Sequence, residues 1–304
     1  MPNNSYTPKK GMLSILIPTH DYTCYQLVAD LHKQAEELGV PYEIIVAEDG
    51  SRSQVNIIAN HKITELSHCR HLVNKEKRGP AAIRNLLARE AVYSWIVFID
   101  SDAKVEKPDF LHTYLASIGK ADVVVGGLRH QPENLNPNLS LRFKYEKEAD
   151  KHRSAEERRQ QPYSKFTPFN VMIRRSTFLC IGFDEDCKEY GYEDALFGVE
   201  LMKRNISILH IENPLIHMGL DTNEAFLRKS ETALRTLKSL GDKMECHSYV
   251  GSTYLKLKKW HVAWIAKGFH QLFGKAIRRH LLSSHPSLFW FSVYKLGYYA
   301  TLTS

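Results

Sequence analysis

Two carboxylates one residue apart, Asp100 and Asp102, flank Ser101 directly after the apolar run 95–99. Such a run reads as a buried strand. Paired negative charges at its end repel each other, and burying them without partners is costly. A divalent cation removes both problems, because hard cations take oxygen ligands and Mg²⁺ is commonly held by one or two carboxylates together with substrate phosphates. The pair therefore marks a place to hold a metal–diphosphate. The other reading is a solvated turn capped by two aspartates, which needs no ligand. A second acidic pair, Glu193 and Asp194, follows Gly191-Tyr192 at a predicted helix start. Acidic residues there either cap the helix or, beside a glycine that lets a substrate approach, serve as a general base.

The elements that must position these groups alternate in type. Strands are predicted over 13–17, 43–47, 71–73, 95–99 and 122–125, with helices over 22–38, 54–61 and 80–91 and another from Pro108. Gly39 supplies a helix stop, and Pro80 sits where a missing N–H costs nothing. This alternation implies an α/β fold with a mostly parallel sheet and helices on both faces. In such sheets ligands bind beyond the carboxyl ends of the strands. The clusters Thr19-His20-Asp21, Glu48-Asp49-Gly50-Ser51 and Asp100-Ser101-Asp102 all lie at such ends. From 130 to 165 the pattern breaks, and the highly charged stretch 144–161 reads as an exposed helix beside a surface loop. A strand over 167–174, a helix near Ser176, a helix over 195–201 and a strand over 207–211 follow.

The 304 residues fit one large domain or one domain with an extension. Residues 1–11 are polar and lack the apolar core of a signal peptide, and no apolar run approaches the ~18 residues of a spanning helix; a cytoplasmic location is expected. The five scattered cysteines form no C-x-x-C, which argues against a zinc or disulfide framework. The net charge of +7 is concentrated in the tail, which carries eight basic and no acidic residues after Glu245. A basic tail points to an anionic surface as partner. Over 254–282, Trp260, Trp264, Phe269 and Phe273 recur at helical spacing among lysines and arginines, and 287–302 is rich in aromatic residues. This basic amphipathic helix would lie on an anionic membrane surface, or the stripe would pack on the catalytic domain or on a second subunit in a homo-oligomer. Nucleic acid is not expected, because no matching motif accompanies the charge. No G-x-G-x-x-G follows the first strand, which argues against a dinucleotide-dependent redox enzyme.

Five motifs occur in order: Ile17-Pro18-Thr19-His20-Asp21, Ala47-Glu48-Asp49-Gly50-Ser51, the stretch Arg78-Gly79-Pro80 through Arg84-Asn85, Ile99-Asp100-Ser101-Asp102, and Gly191-Tyr192-Glu193-Asp194. Together they resemble the family 2 glycosyltransferases of GT-A fold, over residues 12–220. The resemblance implies a Rossmann-like catalytic domain with a nucleotide-binding half at 12–127 and an acceptor-binding half at 128–220. A flexible segment, 1–11, would precede it and a helical extension, 221–304, would follow. It implies that Pro18, Thr19, Asp21, Glu48, Asp49, Arg84, Asp100 and Ser101 bind a nucleotide-sugar donor. Glu48 and Asp49 would accept hydrogen bonds from base and ribose, although the family usually carries Asp at position 48. Arg84, rather than Arg78, would contact phosphate near a helix start. Asp102 would ligate Mn²⁺ or Mg²⁺, with Asp100 beside it and His217 as a candidate third ligand. Asp194 would be the general base, Glu193 would hold sugar hydroxyls, and Phe169 and Asn170 would line the acceptor site. The expected activity is inverting, metal-dependent transfer from a UDP-sugar to a hydroxyl of a glycan or lipid-linked glycan, at the cytoplasmic face of a membrane. The alternative is a non-catalytic sugar-nucleotide- or glycan-binding scaffold subunit, against which the intact acidic residues weigh.

Overall fold

Alternation within the central strands decides the architecture. In β1 (Leu13–Thr19), Leu13, Ile15 and Ile17 face one hydrophobic cluster and Leu16 the other. The same split holds in β2 (Tyr42–Asp49) and β4 (Trp95–Ile99), so the sheet is buried on both faces. The computed structural model describes residues 12–130, 136–187 and 190–302; the segment expected to be flexible, 1–11, lies outside them. One face is covered by α1 (Tyr25–Leu38), which ends at left-handed Gly39, and by the later α4 (Phe110–Leu115). The other is covered by α3 (Pro80–Glu90), α7 (Arg175–Ile181) and α8 (Glu193–Lys203). Between β2 and β3 (Cys69–Asn74) lies α2 (Gln54–His61), capped by the Ser53 hydroxyl.

Seven strands form the main sheet in the order β3-β2-β1-β4-β8-β6-β9, with β6 (Val123–Val125), β8 (Asn170–Arg174) and β9 (Ile208–His210) completing it. Strand β8 runs antiparallel between β4 and β6, and the other pairings are parallel. The chain reverses its direction of travel across the sheet at β1 and β4, where α/β sheets open a crevice. A second sheet of three very short strands is ordered β5-β10-β7, from β5 (Ala103–Lys104), β7 (Leu128–His130) and β10 (Leu215–His217). It pairs His217 with Ala103 on one side and with His130 on the other.

The charged stretch 144–161 is not an exposed helix. It forms α5 (Ser140–Asp150) and α6 (Ala155–Gln160), which bury Glu146 and Arg158 at 2% and 4% exposure. Charges are tolerated inside only when partners compensate them; Glu146 has ion pairs, and Arg158 has a full set of hydrogen bonds. Glu146 meets Arg142 at 2.5 Å, Arg153 at 2.7 Å and His130 at 3.2 Å. Arg158 donates to the carbonyls of Val125, Gly126 and Ile211 and to Nδ1 of His210. Because the guanidinium donates to Nδ1 and Nε2 donates to the Pro162 carbonyl at 2.8 Å, His210 is held neutral. Burial lowers its pKa from 6.5 to about 4. An unfolded histidine takes its proton near 6.5, so below that pH unfolding takes up a proton that the folded ring refuses. Stability is therefore full above about pH 6.5 and is lost as pH falls towards about 4. A His210→Gln variant keeps an acceptor and a donor but cannot titrate. Between about pH 7 and about pH 5 its melting temperature is expected to fall less than that of the wild type; equal falls would count against this.

The tail differs from expectation as well. The single helix read over 254–282 is broken at left-handed His261 into α10 (Tyr249–Lys259) and α11 (Ala263–Leu281), followed by α12 (Leu288–Leu302). Much of the aromatic stripe packs on the rest of the chain. Phe291 joins Leu141 of α5 and Phe226 of α9 (Asn223–Leu240), and Tyr299 joins Leu196 and Leu237. Tyr294 and Tyr299 donate to Glu231 and Glu245 at 2.7 Å and 2.5 Å. Packing thus runs unbroken across residue 220. Trp260, Trp264 and Phe289 stay about two-thirds exposed. Among the described residues no helix is long and apolar enough to cross a membrane.

Candidate active site

A cleft of about 790 Å³ opens beyond the carboxyl ends of β1, β2 and β4. Pro18, Thr19, Asp49, Arg84, Asp100, Ser101, Asp102 and His217 line it. Asp49 ties the end of β2 to the start of α3, accepting from the backbone N–H groups of Arg78 at 2.6 Å and Gly79 at 3.0 Å. Arg78 contributes that N–H but its side chain does not line the cleft. Two other expected nucleotide contacts lie outside it. Glu48 is fully buried, its carboxylate held by Ser51, by Asn60 at 2.8 Å and by His71 at 3.2 Å. Asp21 accepts from the N–H groups of Arg52 at 2.6 Å and Ser53 at 2.7 Å and so fixes the loop after β2. Both carboxylates hold that loop, and neither lines the cleft. Both pKa values are lowered, that of Asp21 chiefly by the Ser53 N–H, that of Glu48 by its three side-chain partners against the opposing effect of burial.

The small sheet sets the geometry of the other wall. His217 Nε2 lies 2.9 Å from Asp102 Oδ2, while His217 Nδ1 lies 3.2 Å from His130 Nε2. His130 in turn meets Asp150 at 3.1 Å and Glu146 at 3.2 Å. A cation-binding imidazole is usually oriented by such an outer partner. A Cβ on Gly219 would collide with Asp102 Oδ2, so a side chain there would displace that carboxylate. Among the described residues no three His, Cys, Asp or Glu side chains converge as a complete metal cage. An Asp–His pair with an outer shell fits a divalent cation whose other ligands come from a diphosphate. Asp100 is instead engaged by Arg84 Nη2 at 2.6 Å. Arg84 is buried, and its Nε has no hydrogen-bond partner. Burial opposes its charge, but Asp100, Glu193 and Asp194 outweigh that and raise its pKa.

Glu193 and Asp194 occupy the first turn of α8. The turn is presented by Gly191 at φ 107° and by Tyr192, which is left-handed at φ 68°. A Cβ on Gly191 would lie 2.5 Å from Ala233 Cβ, so glycine is required there. Strain at a non-glycine residue such as Tyr192 is the kind found at functional sites. Asp194 Oδ1 accepts from the N–H of Ala195 at 2.7 Å, and Glu193 Oε2 from that of Gly191 at 3.0 Å. Burial first, and the Asp194 charge second, push Glu193 up to about 7. Burial likewise raises Asp194. A basic carboxylate near neutrality suits proton abstraction.

A cavity of about 330 Å³ joins the two halves and is lined by Arg84, Asp100, His217, Glu193 and Asp194, with Arg84 4.0 Å from the Glu193 carboxylate. Phe169 lines it and packs edge-on against His217 at 5.4 Å. Asn170 does not: it is fully buried, bonded to Tyr114 and to the carbonyls of Gly127 and Asn213, and serves the core. Sequence reasoning missed Arg142, Tyr190 and Lys229, which border the cleft. Tyr190 directly precedes Gly191-Tyr192-Glu193-Asp194 and was discoverable from that motif. Arg142 lay in a stretch that looked like surface, and Lys229 in the tail.

A sequence model described as glycosyl transferase family 2 matches residues 14–182. The chain is 26% identical over 227 residues to chondroitin synthase of Pasteurella multocida (strain Pm70), an alignment covering 63% of this chain and 23% of that protein. It therefore spans under a quarter of that curated relative's length. The mannosyltransferase PcManGT from Pyrobaculum calidifontis, solved in complex with GDP-Man and Mn²⁺, aligns with a TM-score of 0.55 at 15% identity, over 95% of this chain and 84% of that one. S. aureus TarS 1-349 in complex with UDP aligns with a TM-score of 0.50 at 17% identity, over 95% and 89%. These likenesses show the GT-A fold. With more than half of its length matched by the family model, the chain belongs to glycosyl transferase family 2.

Proposed function

We propose that the chain is an inverting glycosyltransferase that moves a sugar from a UDP-linked donor to a hydroxyl of a glycan or lipid-linked glycan. The observation that carries this reading is the joining cavity, whose lining brings together Arg84, His217 and Asp194, with Asp102 bonded to His217 at 2.9 Å. Thr19, Asp49 and Ser101 would hold the nucleoside, and Arg84 the diphosphate. A divalent cation on Asp102 and His217 would supply Lewis-acid neutralisation of the departing diphosphate. The imidazole–carboxylate pair suits Mn²⁺ better than Mg²⁺. Asp194 takes the proton from the acceptor hydroxyl as its oxygen bonds to the anomeric carbon and the bond to the diphosphate oxygen breaks. One displacement inverts that carbon. Glu193 holds neighbouring hydroxyls. PcManGT bound to GDP-Man and Mn²⁺, and TarS bound to UDP, support a nucleotide donor and a metal here. Residues 12–220 form the catalytic unit, and α9 and α12 complete its acceptor side.

The test is turnover of a panel of UDP-sugars with Mn²⁺, read as released UDP. One donor is expected to turn over, and chelation is expected to stop it. Nucleotide binding with no turnover of any donor would favour the scaffold reading instead. The exposed faces of Trp260, Trp264 and Phe289, set among tail lysines and arginines, support peripheral attachment to the cytoplasmic face of an anionic membrane. Cosedimentation with phosphatidylserine vesicles, weakened by salt and absent with phosphatidylcholine, is expected; indifference to lipid charge would remove this part of the reading.

A further inference from the structure

Beyond Asp194 lies a separate cavity of about 360 Å³, built where α12 and α9 close over α5 and the start of α8. It shares Arg142, Tyr190 and Lys229 with the donor cleft, and Glu193 and Asp194 form part of its wall. A space that touches both the base and the donor cleft is where an acceptor sugar would lie. Tyr145, Phe226 and Phe291 cluster in its wall, with ring centroids 5.4 Å to 5.9 Å apart, and give it an apolar side.

The cationic residues of this wall are not equivalent. Arg142 is paired with Glu146 at 2.5 Å and Lys229 with Asp221 at 2.8 Å. Lys295 pairs with no carboxylate among the described residues. Its ammonium instead lies over the rings of Phe291 at 4.4 Å and Tyr145 at 5.4 Å. Burial alone lowers its pKa to about 8, so it is still mostly charged at neutral pH. A half-buried cation without an acidic partner is expensive to keep, and two aromatic faces offset only part of that cost. An anion entering the cavity would complete it. Of the carboxylates already there, Glu146 is paired with Arg142 and Arg153, while Glu193 and Asp194 are engaged by backbone N–H groups of their own turn and feel the charge of Arg84.

We propose that this cavity is the acceptor subsite and that Lys295 selects an acceptor sugar bearing an acidic group, carboxylate or phosphate. The inference rests on the transferase reading above, because the acceptor hydroxyl must reach Asp194. It adds that the C-terminal extension, outside the matched family segment 14–182, sets acceptor choice.

The test uses the full chain with UDP and Mn²⁺ and three probes: methyl glucuronide, glucose 6-phosphate and methyl glucoside. Calorimetry gives each affinity. At least one acidic sugar is expected to bind about tenfold or more tighter than the neutral one, the scale of one hydrogen bond to a charged group. The better of the two acidic probes identifies the anion. Lys295→Met keeps the length and apolar stem, and there the acidic-to-neutral ratio should fall to about one; Lys295→Arg should retain a preference. Equal binding of acidic and neutral sugars by the wild type would overturn the proposal. So would a preference that survives in Lys295→Met, or no binding of either acidic sugar. Circular dichroism checks the variants, and the wild-type comparison stands even if Lys295→Met does not fold. UDP binding without acidic selectivity would sink this inference alone, whereas absence of UDP binding would sink the transferase reading.

Discussion

Asp194→Asn is expected to reduce kcat by about three orders of magnitude while leaving donor affinity within a few-fold of wild type. A positioned general base contributes on the order of 10²–10⁴ in rate. Asparagine has the same shape, and its carbonyl oxygen can still accept from the Ala195 N–H, which Asp194 now does at 2.7 Å. The start of α8 should therefore survive. What is lost is basicity in the joining cavity that Asp194 lines together with His217 and Arg84. A second consequence follows from the charge next door. The Asp194 charge helps push Glu193 up to about 7, so in Asp194→Asn the remaining carboxylate should titrate lower and be a weaker base. Glu193 therefore should not take over. Steady-state kinetics with calorimetric donor binding separates the two effects. Turnover within tenfold of wild type would reject Asp194 as the base.

The second large effect is expected at Asp102. Removing an outer-shell partner of a metal ligand costs about 10–100-fold in affinity, and removing a ligand from a two-residue set should cost at least the upper end of that range. Asp102→Ala leaves His217 with His130 as its remaining side-chain hydrogen-bond partner among the described residues. The variant is expected to lose at least about a hundredfold in apparent Mn²⁺ affinity, measured as the metal concentration giving half-maximal turnover. Residual turnover should need millimolar Mn²⁺ or vanish. Unchanged metal dependence would place the cation elsewhere.

How much of this was legible depends on the range of the interactions involved. The buried strands declared themselves through apolar runs, and Pro80 and Gly39 marked helix ends through local chemistry. The carboxylates at strand ends were found for the same reason, since a charge after an apolar run is visible in one dimension. The tasks of Glu48 and Asp21 were not. Their hydrogen bonds run to Asn60, His71, Arg52 and Ser53 and fix a loop. Partners more than ten residues away leave no mark on local pattern. The same holds for Glu146 and Arg158, which look exposed by composition and are buried because His130, Arg153 and the 125–126 and 211 carbonyls meet them in space. His217 could be suspected from its type, but its placement depends on strands of two and three residues that no periodicity analysis detects. The tail announced its charge and aromaticity, and only packing showed that Phe291, Tyr294 and Tyr299 turn inward.

The central claim is that the cleft beyond β1, β2 and β4 binds a nucleoside diphosphate together with a metal held by Asp102 and His217. Isothermal calorimetry of UDP with the wild type, with and without Mn²⁺, tests it most directly. The account predicts binding tightened at least about tenfold by Mn²⁺, with that gain absent in Asp102→Ala. UDP binding indifferent to Mn²⁺, or a gain that persists in Asp102→Ala, would contradict it.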